Sequence, residues 1–257
     1  MYRAYHLGLS SNAIWGVSLA LLPGAPERAE TLAEAFGKPK ILAFHREFKS
    51  VLAESKEGKV LVVSTGIGGP SLSIAVEELA RLGVRWFIRV GTCGALQEDI
   101  ALGDLVISEG AVRLDGASLH YAPLEYPAVA DWETVRILKE ACEEARVRYH
   151  IGVTCSSATF YPGQERYDTF SGYVPRSLQG SLKEWQTLRV LNYEMEVATL
   201  FVVARTFGLR AGAVCGVLVN RTKKEEVEEG VVERVEKNLA QVSALAVRRI
   251  LSSFSSP

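Results

Sequence analysis

The stretch IRVGTCGAL, residues 88–96, closes an apolar run on Arg89 and follows it with Thr92 in what reads as a glycine-bounded turn. A guanidinium at the end of an apolar strand is costly to bury unless it meets an anion or several acceptors. Two further arginines stand in loop-like contexts, Arg28 in GAPERAE and Arg46 in HREF. Together with backbone amides, three arginines could neutralise a phosphate dianion. The competing reading for Arg89 is an internal salt bridge. A second chemical feature is NYEMEVATLF, residues 192–201, where Glu194 and Glu196 flank Met195 just as a short apolar run gives way to a helical pattern. Acids there need no function, because they complement the positive end of the helix dipole.

These residues must be held by regular elements, and the pattern says which. Apolar, β-branched runs at 17–22, 59–64, 84–90, 104–112, 150–155, 189–193 and 211–219 alternate with helical periodicity at 26–36, 71–82, 133–146, 196–207 and 231–252. Such alternation predicts an α/β fold, a mixed central sheet flanked by helices. The chain of 257 residues is 48% hydrophobic, which suits one domain spanning 1–257. After five of the strands come PGAPER, TGIGGPS, GTCGAL, EME and NRT. Ligands of open α/β sheets bind outside the carboxyl ends of strands, so one site could collect all five loops. In STGIGGPSLSIAVEEL, residues 64–79, glycines would admit a ligand close to the backbone and Ser71 reads as a helix cap. No Gly-Lys-Ser/Thr follows, so it is not a Walker loop. YPGQERYD, residues 161–168, reads on its own as a Pro-Gly turn entering an exposed charged segment. TKKEEVEEG, 222–230, reads as a solvated charge-rich stretch, and SSFSSP as a frayed tail.

Bulk properties narrow the classes. With 29 basic and 30 acidic residues the formal charge is −1, so no overall field favours nucleic acid or an anionic membrane. No run is long enough to span a bilayer and the N-terminus lacks a secretion-signal core, which predicts a cytoplasmic protein. Cys93, Cys142, Cys155 and Cys215 are widely spaced with no C-x-x-C pair, predicting four reduced thiols and no transition-metal site.

Taken together, STGIGGPSLSIAVEEL, VRLDGASLHYAPLEYPAVADWE (112–133), SSATFYPGQERYDTFSG (156–172), LNYEMEVATL (191–200) and GVLVNRT (216–222) resemble the nucleoside phosphorylase family, in its uridine-specific branch, over nearly the whole chain. The resemblance implies reversible cleavage of a pyrimidine nucleoside by phosphate, giving free base and ribose 1-phosphate without a redox cofactor. It implies that Gly24, Arg28, Arg89 and Thr92 hold phosphate, with His6 and Arg46 reaching into a neighbouring subunit's site and His6 bonding the ribose 5′-hydroxyl. The unit would be at least a dimer, and in bacterial relatives a hexamer built as a trimer of dimers. It further implies that Phe160, Gln164 and Arg166 hold uracil, with Gln164 and Arg166 matching its carbonyls and N–H. Met195 and Glu196 would face the ribose, and Arg221 would assist Arg166 as negative charge grows on the base. Glu194 would support the loop. Glu47, the Ile67 carbonyl and the Ser71 hydroxyl resemble a monovalent-cation site, with potassium the candidate; all-oxygen ligation suits a hard cation.

Two positions depart from the family pattern. Cys93 replaces a threonine beside the phosphate loop, and Glu226-Val227 stands where relatives carry an Ile-Pro pair over the base, putting flap closure and thymine discrimination in question. Three other readings stay open: a purine nucleoside phosphorylase, disfavoured because an Asp typical of those enzymes is missing from VLVNRT; a nucleosidase using water; and a non-catalytic nucleoside sensor.

Overall fold

The computed structural model describes residues 2–223 and 225–254. Along these residues run β1 (Leu19–Pro23), α1 (Pro26–Phe36), β2 (Lys38–His45), β3 (Phe48–Ser55), β4 (Gly58–Val63), α2 (Gly69–Arg81), β5 (Trp86–Ala95), β6 (Leu105–Leu114), β7 (Ala128–Val129), α3 (Trp132–Ala145), β8 (Tyr149–Ser157), α4 (Ser181–Thr187), β9 (Asn192–Glu194), α5 (Val197–Thr206), β10 (Arg210–Asn220) and α6 (Val231–Phe254). The α/β class, the mixed sheet and the five long helices follow the alternation read from the sequence.

The sheet is built around β5. Its first half is sandwiched in parallel between β1 and β10, with Leu22 opposite Arg89 and Ala213 opposite Arg89 on the other side. Its second half keeps β10 but exchanges β1 for β9, which pairs antiparallel at Gly94 and Ala95. Strands β10, β6, β8, β9 and β5 thereby close on one another, while β1, β4, β3 and β2 extend from β5 as an open flank. Where β1 has stopped and β9 has not begun, β5 lacks a neighbour on one side. That gap is where loops can converge on it.

Four sequence expectations change here. Strand β5 does not end at 90: it carries Gly91, Thr92 and Cys93 within it, so Thr92 lies on a strand rather than in a turn. Its glycines disguise this, since they weaken strand propensity while their absent side chains allow packing; a Cβ on Gly91 would meet the Cys215 sulfur at 3.1 Å. The β2–β3 hairpin was not expected, because β2 is an edge strand exposed along most of its length and shows no apolar period. Helix α2 starts at Gly69 after Gly68, and Ser71 does not cap it but donates to Glu47. The predicted tail is helical through Phe254; residues 255–257 lie outside the described residues.

Helices pack on this sheet for ordinary reasons. α1 opens with Pro26, whose fixed φ suits a first turn, and buries Ala29, Leu32, Ala33 and Phe36. α3 is capped by Asp131, which accepts from the Thr134 amide at 3.0 Å, while Thr134 in turn accepts from the Trp86 indole at 2.7 Å. α5 is buried from Val197 to Ala204, as a helix apolar on all sides must be. Arg113, in the segment 112–133, spends its guanidinium on Ser118 and the carbonyls of Ser118, Ala122, Pro123, Leu124 and Tyr126, so that stretch is scaffold.

Candidate active site

The gap beside β5 opens into a cavity of about 920 Å³. Its floor is β5, through Arg89, Thr92, Cys93 and Gly94; β1 delivers Gly24, Ala25 and Arg28, the β4–α2 loop Gly66 and Ile67, and the β9–α5 junction Tyr193 to Glu196. Phe160, Gln164 and Arg166 close one end, with Leu218 and Val219 of β10 and Val227 beyond it. The β1 and β4 loops are tied together by the amides of Thr65 and Gly66 donating to the carbonyls of Pro23 and Gly24 at 2.9 and 3.0 Å. Gly66 has φ +66°, and a Cβ there would lie 3.0 Å from Glu47, so this turn requires glycine. Gly24 is needed differently: a Cβ would press the Arg89 guanidinium at 3.4 Å.

Arg89 and Glu196 form a buried ion pair at 2.8 Å, with side chains 7% and 5% exposed. Arg89 also donates to the Leu22 carbonyl and the Thr65 hydroxyl, at 3.1 and 3.3 Å, while its Nε is buried without a partner. The second oxygen of Glu196 accepts from the Gly68 amide at 2.6 Å, at the mouth of α2. The internal salt bridge read as the competing possibility for Arg89 is therefore present, on a residue that also lines the cavity. Burial would lower the Arg89 pKa, but the Glu196 carboxylate holds it above the ordinary value.

Glu194 borders the cavity but spends its carboxylate on the protein. It accepts from the Ser156 hydroxyl and from the amides of Glu196 and Val197, at 2.7 and 3.0 Å for the amides, and so pins the first turn of α5. Burial, and next the neighbouring Glu196 charge, push its carboxyl well above the ordinary carboxylate range. Cys93 borders the cavity, yet burial raises its thiol far above the usual value, which removes the thiolate a nucleophile would need.

At the far end Arg166 stacks on Phe160, 4.2 Å from guanidinium to ring centre, and its Nε is buried without a partner. Arg221 does not line the cavity. It donates to the backbone carbonyl of Gln164 and to Glu225, and lies over the Tyr193 ring at 5.5 Å. Of the two residues expected over the base, Val227 lines the cavity and Glu226 does not. The residue that turns inward is Glu225, which pairs with both Arg166 and Arg221. Sequence reading missed it, as it missed Glu236 of α6, which accepts from Arg28 at 3.4 Å. Its only signal was the four-residue spacing from Arg221, common to any charged surface.

His6, Arg46, Glu47 and Ser71 stand apart from this cavity. His6 shares a 2.8 Å hydrogen bond with Glu78, which also accepts from the amides of His6 and Leu7. Burial would raise the Glu78 pKa, but those amides and His6 lower it below the ordinary value. Arg46 sits at φ 55° in the turn between β2 and β3. Beside it Glu47 accepts from Ser71 at 2.8 Å, while Ile67 lies exposed on the cavity rim. Glu47 and Ser71 are thus hydrogen-bonded to each other.

The arrangement is a cavity in which Arg28, Arg89 and Arg166 are each paired with a carboxylate, on a strand that changes neighbours at the site. Residues 18–252 match the family described as the phosphorylase superfamily, and the chain belongs to it. Within that family it is 53% identical to the uridine phosphorylase of Escherichia coli (strain K12), across 96% of this chain and 98% of that one. Its identity to the uridine phosphorylase of Haemophilus influenzae (strain ATCC 51907 / DSM 11121 / KW20 / Rd) is 50%, over 98% of this chain and all of the other. To that of Thermococcus kodakarensis (strain ATCC BAA-918 / JCM 12380 / KOD1) it is 44%, over 95% and 85%.

Proposed function

We propose that the protein catalyses the reversible phosphorolysis of uridine, releasing uracil and ribose 1-phosphate. The observation that carries this reading is that one cavity gathers Arg28, Arg89, Thr92, Glu196, Phe160, Gln164 and Arg166. Near-full-length identity to uridine phosphorylases supports the choice of substrate.

Phosphate would bind against Arg28, Arg89, Thr92 and the backbone at Gly24. Ribose would lie over Met195 and Glu196, whose carboxylate would accept from sugar hydroxyls while Arg89 holds it in place. As the glycosidic bond lengthens, the sugar gains oxocarbenium character and the bonding electrons pass to the base. Phosphate and Glu196 stabilise the cation, and the donors of Arg166 and Gln164 meet the charge on uracil. Phosphate oxygen then bonds to the anomeric carbon. Holding two substrates in line contributes up to about 7–11 kcal/mol in favourable systems. The β10 residues that line the cavity, Leu218 and Val219, are apolar, and the strand ends in Asn220 rather than the Asp expected of a purine-acting relative, which favours a pyrimidine.

The proposal extends to assembly. His6 and Arg46 would complete a neighbouring subunit's site. Exposed Tyr5, Ile41 and Phe44 on the same side give that neighbour an apolar surface to cover. A hexamer arranged as a trimer of dimers of one-domain subunits fits this sharing, and a potassium-class ion held by Glu47, the Ile67 carbonyl and Ser71 would sit beside it. The setting would be cytoplasmic pyrimidine salvage. Incubating the protein with uridine, with and without phosphate, tests the central claim. Uracil and ribose 1-phosphate should appear together and only with phosphate; uracil without phosphate would make it a hydrolase, and no uracil would reject the reading.

A further inference from the structure

The base end of the cavity is organised by a carboxylate that belongs to none of the assigned ligand contacts. Glu225 bridges two arginines, one oxygen meeting Arg166 Nη1 and the other Arg221 Nε. Arg221 in turn donates to the main-chain carbonyl of Gln164, so the Arg166 side chain and the backbone that carries Gln164 are linked through one acid. Arg166 is further fixed from its face by Phe160 at 4.2 Å, leaving its buried Nε without a protein partner. The three charges sum to one positive, with Arg166 and Glu225 on the cavity wall and Arg221 behind them.

We propose that Glu225 is a positioning residue for the leaving group: it holds Arg166 and, through Arg221, Gln164 in the pose that receives negative charge on the base. The inference rests on the phosphorolysis reading. Physically, two neighbouring guanidiniums repel and each has several rotatable bonds; a shared carboxylate offsets the repulsion and removes the freedom before substrate arrives. Preorganised donors cost no rearrangement as charge develops, which is what makes them effective in a transition state. Burial would raise the Glu225 pKa, but the hydrogen bond from Arg166 and the charge of Arg221 keep it below the ordinary value, so the clamp stays charged near neutrality.

The test compares Glu225→Ala, Glu225→Gln and Glu225→Asp on uridine and on 5-fluorouridine, whose base leaves more readily as an anion. Loss of the clamp should lower kcat on uridine about tenfold or more, a modest share of what a transition-state donor commonly contributes. The loss on 5-fluorouridine should be several-fold smaller, the KM for phosphate unchanged, and Glu225→Asp should recover part of the rate. Equal loss on both nucleosides, or no loss, overturns the proposal. A lower KM with a higher kcat/KM would also overturn it, by showing that Glu225 competes with the base. Binding of free uracil, followed by calorimetry, reads the clamp without turnover and should weaken in Glu225→Ala; unchanged affinity counts against it. If the unaltered protein fails to cleave uridine, the functional reading falls, while the uracil measurement still decides the clamp.

Discussion

At the scale of single residues, the site depends on charges that are buried only because they are paired. Arg89 neutralises Glu196 and leaves donors for an incoming anion, so removing it does two things at once. Arg89→Ala should lower stability by about 3–5 kcal/mol in chemical denaturation, since the buried Glu196 would lose its ion-pair partner and keep only the Gly68 amide. The phosphate role is read more cleanly from Arg28→Ala, whose partner Glu236 is 42% exposed and tolerates loss. It should raise the KM for phosphate roughly tenfold or more with little change in melting temperature, because a charge-assisted hydrogen bond of about 1.5–3 kcal/mol is lost. Arg166→Ala should slow uridine cleavage far more than it disturbs folding, since its donor strengthens only as the base becomes anionic. Unaltered turnover in that variant would remove the base-side role. Arg28 and Arg89 drew notice from their own motifs, whereas Phe160, Gln164, Arg166 and the ribose-side reading of Glu196 came from the resemblance, and all of them line the cavity. Glu225 was not legible in sequence, because a carboxylate in a charge-rich segment looks like a solvated one until the chain folds back over the cavity.

Elements set these residues in place by close approach. α2 packs on α5 at Gly69, where a Cβ would come within 2.3 Å of the Thr199 hydroxyl and 2.8 Å of Ala117. Gly69→Ala should cost about 1–3 kcal/mol by overpacking, measured by thermal or urea melts, and should weaken activity by shifting the Gly68 amide that Glu196 uses. The start of α5 is held by Glu194, whose carboxyl is raised by burial. A raised carboxyl binds its proton more tightly in the folded than in the unfolded chain. Its contribution is therefore complete below the ordinary carboxylate value and is lost as pH rises through the raised one. Melting temperatures followed from about pH 5 to about pH 9 should fall on the alkaline side, and Glu194→Gln should flatten that fall. A parallel decline in both proteins would place the sensitivity elsewhere. Strand ends were the least legible elements: β5 was read as stopping at its first glycine, and edge strand β2 showed no apolar period.

At the scale of the whole molecule, His6 and Arg46 lie off the cavity that their own chain builds, which makes assembly testable by complementation. Mixing inactive His6→Ala and Glu196→Ala subunits should restore a fraction of normal sites; no recovery despite demonstrated subunit exchange would argue that each chain works alone. By itself the sequence determined the α/β class, the five long helices and the identity of most cavity residues, because these rest on local periodicity and on motifs that are contiguous in the chain. Only the tertiary structure decided that β5 trades β1 for β9 and so opens the gap, that Arg89 and Glu196 meet across 107 positions, and that Glu225 turns inward. Each of those facts depends on contacts between segments far apart in sequence, where the cost of closing the chain and burying charge is settled by the packed whole and leaves no mark on any local pattern.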